Sequence, residues 1–200
     1  VLHDAETAGH FARELQLLLR TLGAGEANLE KGEMRIEANV SVSGNEGEFG
    51  TKVEVKNINS FRSVERAIAF EIKRQTALLE KGGKVVQETR GWDEAKQETF
   101  HQRFKEGSAD YRYFPEPDLP KLFLSEIPEC SPEAIRASLP ELPWERRARY
   151  EALGIRKEYV DFFVEPENAF FTELLESVAK RASDADAALI SLAANYIVSD

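Results

Sequence analysis

The chain has 200 residues, 42% of them apolar and 31% charged, with a formal charge of −10. This supports one large or two small globular domains, and the acidic balance argues against broad, non-specific binding to phosphate backbones. A lone cysteine, Cys130, excludes an internal disulfide and a cysteine-rich zinc site; with no apolar run of membrane-spanning length and no secretory pattern in VLHDAETAGH, a cytoplasmic protein that does not cross a membrane is expected.

Asp4 is placed to cap a first helix, in which Phe11, Leu15, Leu18 and Leu22 recur at helical spacing and which Gly23 and Gly25 end. Residues 34–42, MRIEANVSV, then alternate strictly. Met34, Ile36, Ala38, Val40 and Val42 share one side, and Arg35, Glu37, Asn39 and Ser41 the other, which is the pattern of a strand with one buried face. Beyond the polar loop SGNEGEFG, TKVEVKN alternates again, with Val53 and Val55 opposed to Lys52, Glu54 and Lys56. The two runs predict an antiparallel hairpin.

Ser60 caps the next helix, whose apolar stripe is Phe61, Val64, Ile68, Ile72 and Leu79 and whose stop is Gly82-Gly83. KVVQETRGW and ETFHQRFK, joined by DEAKQ, predict a second hairpin. The stretch DYRYFPEPDLP, residues 110–120, holds three aromatics and three prolines, which rules out a helix or a central strand there. KLFLSEIP is expected as one more short strand.

From Ser131 onward the strand alternation is gone. Ser131-Pro132-Glu133 combines a cap, a proline at the first helical position and a first-turn acid. Helices are expected at 143–153, 156–164, 168–181 and 184–200, with Ser183 and Asp186 resembling a capping box. The fold class read from these patterns is α+β: an antiparallel sheet with helices over residues 1–130, then an all-helical domain over 131–200.

The polar face of the first hairpin carries the strongest chemical signal. One register sets Glu37 directly opposite Glu54. A register shifted by two sets Glu37 opposite Lys56 and Asn39 opposite Glu54. In the first, the carboxylates lie about 5 Å apart and repel by roughly 3 kcal/mol at an effective dielectric of about 20. Such a pair needs a cation, a neighbouring lysine or a shared proton, and magnesium suits the first option. A solvated face of alternating charge is the competing reading. The segment KNINSFRSVER offers a helix N-terminus that either binds an anion or is simply capped by Ser60. His3, His10 and His101 have no metal-ligand spacing; Trp92 and Trp144 read as packing residues; Arg146, Arg147 and Arg149 form a small basic cluster most simply read as helix surface.

Taken in order, KGEMRIEANVSV, GTKVEVKNINSFRSVERAIAFEI, GGKVVQETRGWDE and DYRYFPEPDLP resemble the B-subunit family (GatB) of the bacterial glutamyl/aspartyl-tRNA amidotransferases. The resemblance implies an ATP-dependent ligase acting in a heterotrimer with an amidase A subunit and a small C subunit. Its substrates are misacylated tRNAs, Glu-tRNA-Gln and Asp-tRNA-Asn. ATP phosphorylates the side-chain carboxyl, and ammonia channelled from the A subunit displaces the phosphate. It also implies a cradle similar to the glutamine synthetase and guanidino kinase fold, and a Mg2+ site whose acids carry over to Glu37 and Glu54. Lys52 and Lys56 are then expected to offset phosphate charge, and Tyr111 and Arg112 to approach substrate; catalytic residues are not assigned. Two departures stand out: the first acid is usually Asp in the family, and the loop between the strands is shorter here. The only Met is Met34. The chain is therefore expected to be a piece of a longer protein, lacking the remaining metal ligands and the tail domain. As an isolated piece it is expected to be inactive, and a scaffold or tRNA-binding module is the alternative reading.

Overall fold

The structure, a computed structural model, describes residues 1–45, 47–104, 115–182 and 187–199. It divides into two compact units, Val1–Gln16 with Ala27–Lys121, and Leu17–Glu26 with Leu122–Asp200.

The first unit contains most of helix α1 (Ala5–Thr21), strands β1 (Ile36–Val40) and β2 (Val53–Ile58), helix α2 (Phe61–Glu80), and strands β3 (Glu88–Asp93) and β4 (Glu98–Phe104). Asp4 caps α1 as expected, accepting from Thr7 N at 2.7 Å. The strands form one sheet in the order β1-β2-β3-β4. Both expected hairpins are present, β1 antiparallel to β2 and β3 antiparallel to β4. The sheet is nonetheless mixed and not antiparallel throughout, because β2 and β3 run parallel. A parallel pair needs a long crossover, and the twenty-residue α2 supplies it. The sequence pattern marked both hairpins but held no information on how they join.

One face of the sheet packs on α2. Val40, Val55, Ile58 and Trp92 meet Val64 and Ala67 there. Of the stripe expected on α2, Val64 is buried, and Ile68 and Ile72 pack against the same core and line a cavity of about 1050 Å3 between α1, β1 and α2. The helix also buries Ser63, Ala67, Glu71 and Gln75. Hydropathy cannot identify a buried face that carries a carboxylate and an amide. These two are tolerated because both are fully bonded. Gln75 accepts from Val42 N and donates to Val40 O, each at 3.1 Å, and so ties α2 to the end of β1. Glu71 accepts from Arg74, Gln75 and Thr99.

The second unit holds the end of α1 and helices α3 (Pro132–Ser138), α4 (Pro143–Ala152), α5 (Lys157–Val164), α6 (Ala169–Arg181) and α7 (Ala187–Ser199). Ser131 caps α3, accepting from Ala134 N at 3.2 Å. The expected strand at KLFLSEIP is absent; a 3-10 turn, Leu124–Glu126, stands there. The core gathers Leu17, Tyr150, Ile155, Val160, Phe163, Val164, Leu175 and Ile190. Arg149 lies over the Tyr150 ring and bridges Glu141 and Glu176 at 2.6 and 2.7 Å. Trp144, read as a packing residue, is 53% exposed. The Ser183–Asp186 capping box falls outside the described residues.

Candidate functional site

The sheet face turned away from α2 carries Glu54 and Lys56 of the first hairpin and Thr89 of the second, whereas Glu88, Arg90, Thr99 and His101 lie on the α2 side. Pairing aligns Asn39, Glu54, Thr89 and Arg103 as one row across all four strands. Lys56, Gly91 and Phe100 form the next row. Gly91 has a steric reason: a Cβ there would come within 2.5 Å of Phe100 Cζ and 2.6 Å of Gln102 Nε2.

Of the two registers open to the first hairpin, the shifted one is found, with Asn39 opposite Glu54. The pairing slips between Ile36 and Ala38, since Ile36 faces Ile58 but Ala38 faces Val55. Lys56 and Asn57 on β2 thus share the place opposite Glu37, which is a β-bulge. Asn57 takes the left-handed conformation the bulge requires, with φ +62°, a region asparagine tolerates better than most residues. Its Nδ2 donates to Trp92 O at 3.1 Å. The bulge presents Lys56 to β1: Lys56 Nζ lies 3.0 Å from Glu37 Oε1 and 3.8 Å from Glu54 Oε1. The other oxygen of Glu54, Oε2, accepts from Thr89 Oγ1 at 2.9 Å. Glu37 and Glu54 therefore share one face and one ammonium. Of the three ways to relieve two neighbouring carboxylates, the structure displays the lysine.

Such a pair fits what side chains contribute to a magnesium site, hard oxygen donors with the remaining positions left to water and phosphate. Among the described residues no three His, Cys, Asp or Glu side chains converge as a metal-binding group, so Glu37 and Glu54 would supply part of a coordination shell. Lys52 is exposed just before β2 and lines the cavity beside β1. Tyr111 and Arg112 lie outside the described residues.

The start of α2 is not open to an external anion. Ser60 caps it, accepting from Ser63 N at 3.1 Å, and the chain's own Glu94 carboxylate sits beside it, receiving Ser63 Oγ and Trp92 Nε1 at 2.6 Å each. The hydrogen bonds from Ser63 and Trp92 hold Glu94 below its ordinary pKa. On the α2 side, His101 Nδ1 lies 2.5 Å from Glu88 Oε2, a pairing not foreseen for a histidine without ligand spacing. Burial pushes the Glu88 carboxyl up, but the hydrogen bonds from His101 and Arg90, with the charges of Arg90 and Arg74, outweigh it and hold the pKa below its ordinary value. The arginine cluster is neutralised, with Arg146 and Arg149 on Glu141 and Arg147 on Asp161.

The sequence pattern singled out Glu37, Glu54 and Lys56, which the structure brings together, and Asn57 only as a possible donor at the start of α2; it gave no sign of Thr89 or Arg103. Thr89 belongs to the second hairpin and reaches Glu54 only through the parallel β2–β3 ladder, which no periodicity announces.

Residues 1–127 match the family model described as the GatB/GatE catalytic domain. The B subunit of the aspartyl/glutamyl-tRNA(Asn/Gln) amidotransferase of Thermus thermophilus is 50% identical over 157 residues, 78% of this chain and 33% of that protein. The chloroplastic/mitochondrial B subunit of the glutamyl-tRNA(Gln) amidotransferase of Physcomitrium patens is 45% identical over 197 residues, 96% of this chain and 33% of that protein. The Crocosphaera subtropica protein, named as the Thermus one is, is 43% identical over 201 residues, 100% of this chain and 39% of its own length. The chain thus spans 33–39% of the length of these curated relatives. No helix among the described residues is long and apolar enough to cross a membrane. The match over residues 1–127, which contain the whole sheet and the shared carboxylates, means that the chain belongs to the GatB/GatE catalytic-domain family.

Proposed function

We propose that this chain is part of the B subunit of a tRNA-dependent amidotransferase and carries one side of the site where a tRNA-linked side-chain carboxyl is activated by ATP and then amidated. The observation that carries the reading is the convergence of Glu37 and Glu54 on Lys56 within the family-matched segment. In this reading Glu37 and Glu54 hold Mg2+. Bound there, the metal would neutralise charge on the transferring phosphate. Lys56 and Lys52 offset the phosphate oxygens' charge, and contact with the substrate is proposed for Tyr111 and Arg112. The cradle similar to glutamine synthetase, the amidase and small partner subunits, the channelled ammonia, the misacylated tRNAs and a cytoplasmic setting all belong to this proposal.

The test is Glu54→Ala in the intact complex. The expected result is loss of ATP-dependent transamidation with glutaminase activity retained. Unchanged transamidation would remove the metal role.

A second reading concerns the 200-residue chain by itself. Two carboxylates that share one lysine, with no third metal-ligating group converging among the described residues, make it a binding or scaffolding piece. The purified chain is expected to bind Mg2+ and ATP weakly or not at all. Tight binding would overturn that expectation.

A further inference from the structure

Thr89 is buried at 1% exposure, and its hydroxyl donates across the parallel ladder to Oε2 of Glu54 at 2.9 Å. Glu54 and Thr89 are direct neighbours in the β2–β3 register. The Glu54 side chain is 14% exposed, and its other oxygen is the one nearer Lys56. A free glutamate carboxylate rotates about its terminal bond. With Oε2 pinned from within the sheet, Oε1 is fixed toward the side where Glu37 and Lys56 stand. The second shell of a metal site works in this way, by a hydrogen bond that orients a ligand without touching the metal.

We infer that Thr89 is a positioning residue: it holds one oxygen of Glu54 so that the other is presented outward as a metal ligand. This rests on the metal reading of Glu54 given above. It differs from a packing role in one respect, that the hydroxyl matters and the methyl does not.

The experiment uses the intact amidotransferase complex and Mn2+ alone as a spectroscopically visible probe. Free Mn2+ is titrated by electron paramagnetic resonance, and the melting midpoint is recorded for each variant. Thr89→Val keeps the shape and strand preference and removes the donor. It is expected to weaken Mn2+ binding about tenfold, in the range that loss of an outer-shell partner gives, with an unchanged melting midpoint. Thr89→Ser, which keeps the hydroxyl, is expected to restore the affinity to within about twofold, well short of that range. Should the valine variant fail to assemble, Thr89→Ala takes its place beside Thr89→Ser. Wild-type affinity without the hydroxyl, or equal weakening in the serine variant, overturns the inference. Glu54→Gln separates the two layers. If it binds Mn2+ like the wild type, the metal reading itself fails. If it loses the metal while Thr89→Val does not, only the positioning role fails.

Discussion

Lys56 Nζ lies 3.0 Å from Glu37 Oε1, across a bulge that gives two residues of β2 to one of β1. This contact explains how an acidic pair persists on neighbouring strands. Lys56 and Glu37 are both about one-third exposed, so solvent screens the pair and its worth is modest. Lys56→Met is expected to cost about 0.5–1 kcal/mol, read from urea unfolding at pH 7. The loss should shrink in about 1 M NaCl, which screens a partly exposed pair. An equal loss with and without the salt would assign the effect to packing.

The buried end of α2 is a larger liability. Glu71 is fully buried and receives Arg74 Nε through both oxygens, at 3.1 and 3.0 Å, together with Gln75 and Thr99. Glu71→Ala strands these donors and is expected to destabilise by about 3–5 kcal/mol. Glu71→Gln, which keeps an acceptor, should cost less. The comparison is made by chemical denaturation.

Acid should unfold the chain through identifiable carboxylates. Glu88, Glu141 and Glu176 are among those held below their ordinary pKa. Glu88 and Glu176 are pushed up by burial, but bonds from His101 and Arg90 to the first and from Arg149 and Tyr150 to the second prevail, while Glu141 is drawn down chiefly by its bond from Arg149. A depressed native pKa means stability that is fully present above the ordinary carboxylate value near 4.5 and lost as pH falls through the lower native one. At the alkaline end, burial and the bond to Glu176 push Tyr150 up to about 12. Its contribution is complete below pH 10, the ordinary value, and lost as pH rises through about 12. Arg149→Ala should flatten the acid limb, measured as melting midpoint against pH between 3 and 6.

Much of the local structure was legible, and the reasons are physical. Caps at Asp4, Ser60 and Ser131 announced helix starts because their side-chain oxygens satisfy backbone donors. Alternation located β1 and β2, since one face is buried and the other is wet. The register was not legible, because it depends on a bulge at Asn57 whose only trace is a residue tolerant of positive φ. The parallel join of the hairpins was hidden as well, and with it the bond from Thr89 to Glu54. Glu71 and Gln75 defeated the hydropathy pattern because polar groups whose hydrogen bonds are made can be buried beside apolar ones.

The open face offers a steric test. The atoms nearest a Cβ at Gly91 belong to the far ends of the Phe100 and Gln102 side chains, not to backbone. Gly91→Ala is therefore expected to fold with a loss of about 1 kcal/mol or less. In the intact complex it should reduce transamidation while glutaminase activity holds. A fall in both activities, or in neither, would separate Gly91 from the site.

The most direct measurement is anomalous diffraction from crystals of the intact complex soaked in Mn2+. The account predicts a peak at about 2.0–2.2 Å from carboxylate oxygens of Glu37 and Glu54, with Lys56 Nζ displaced from its place between them. Manganese bound elsewhere, with Lys56 still bridging the two carboxylates, would contradict it.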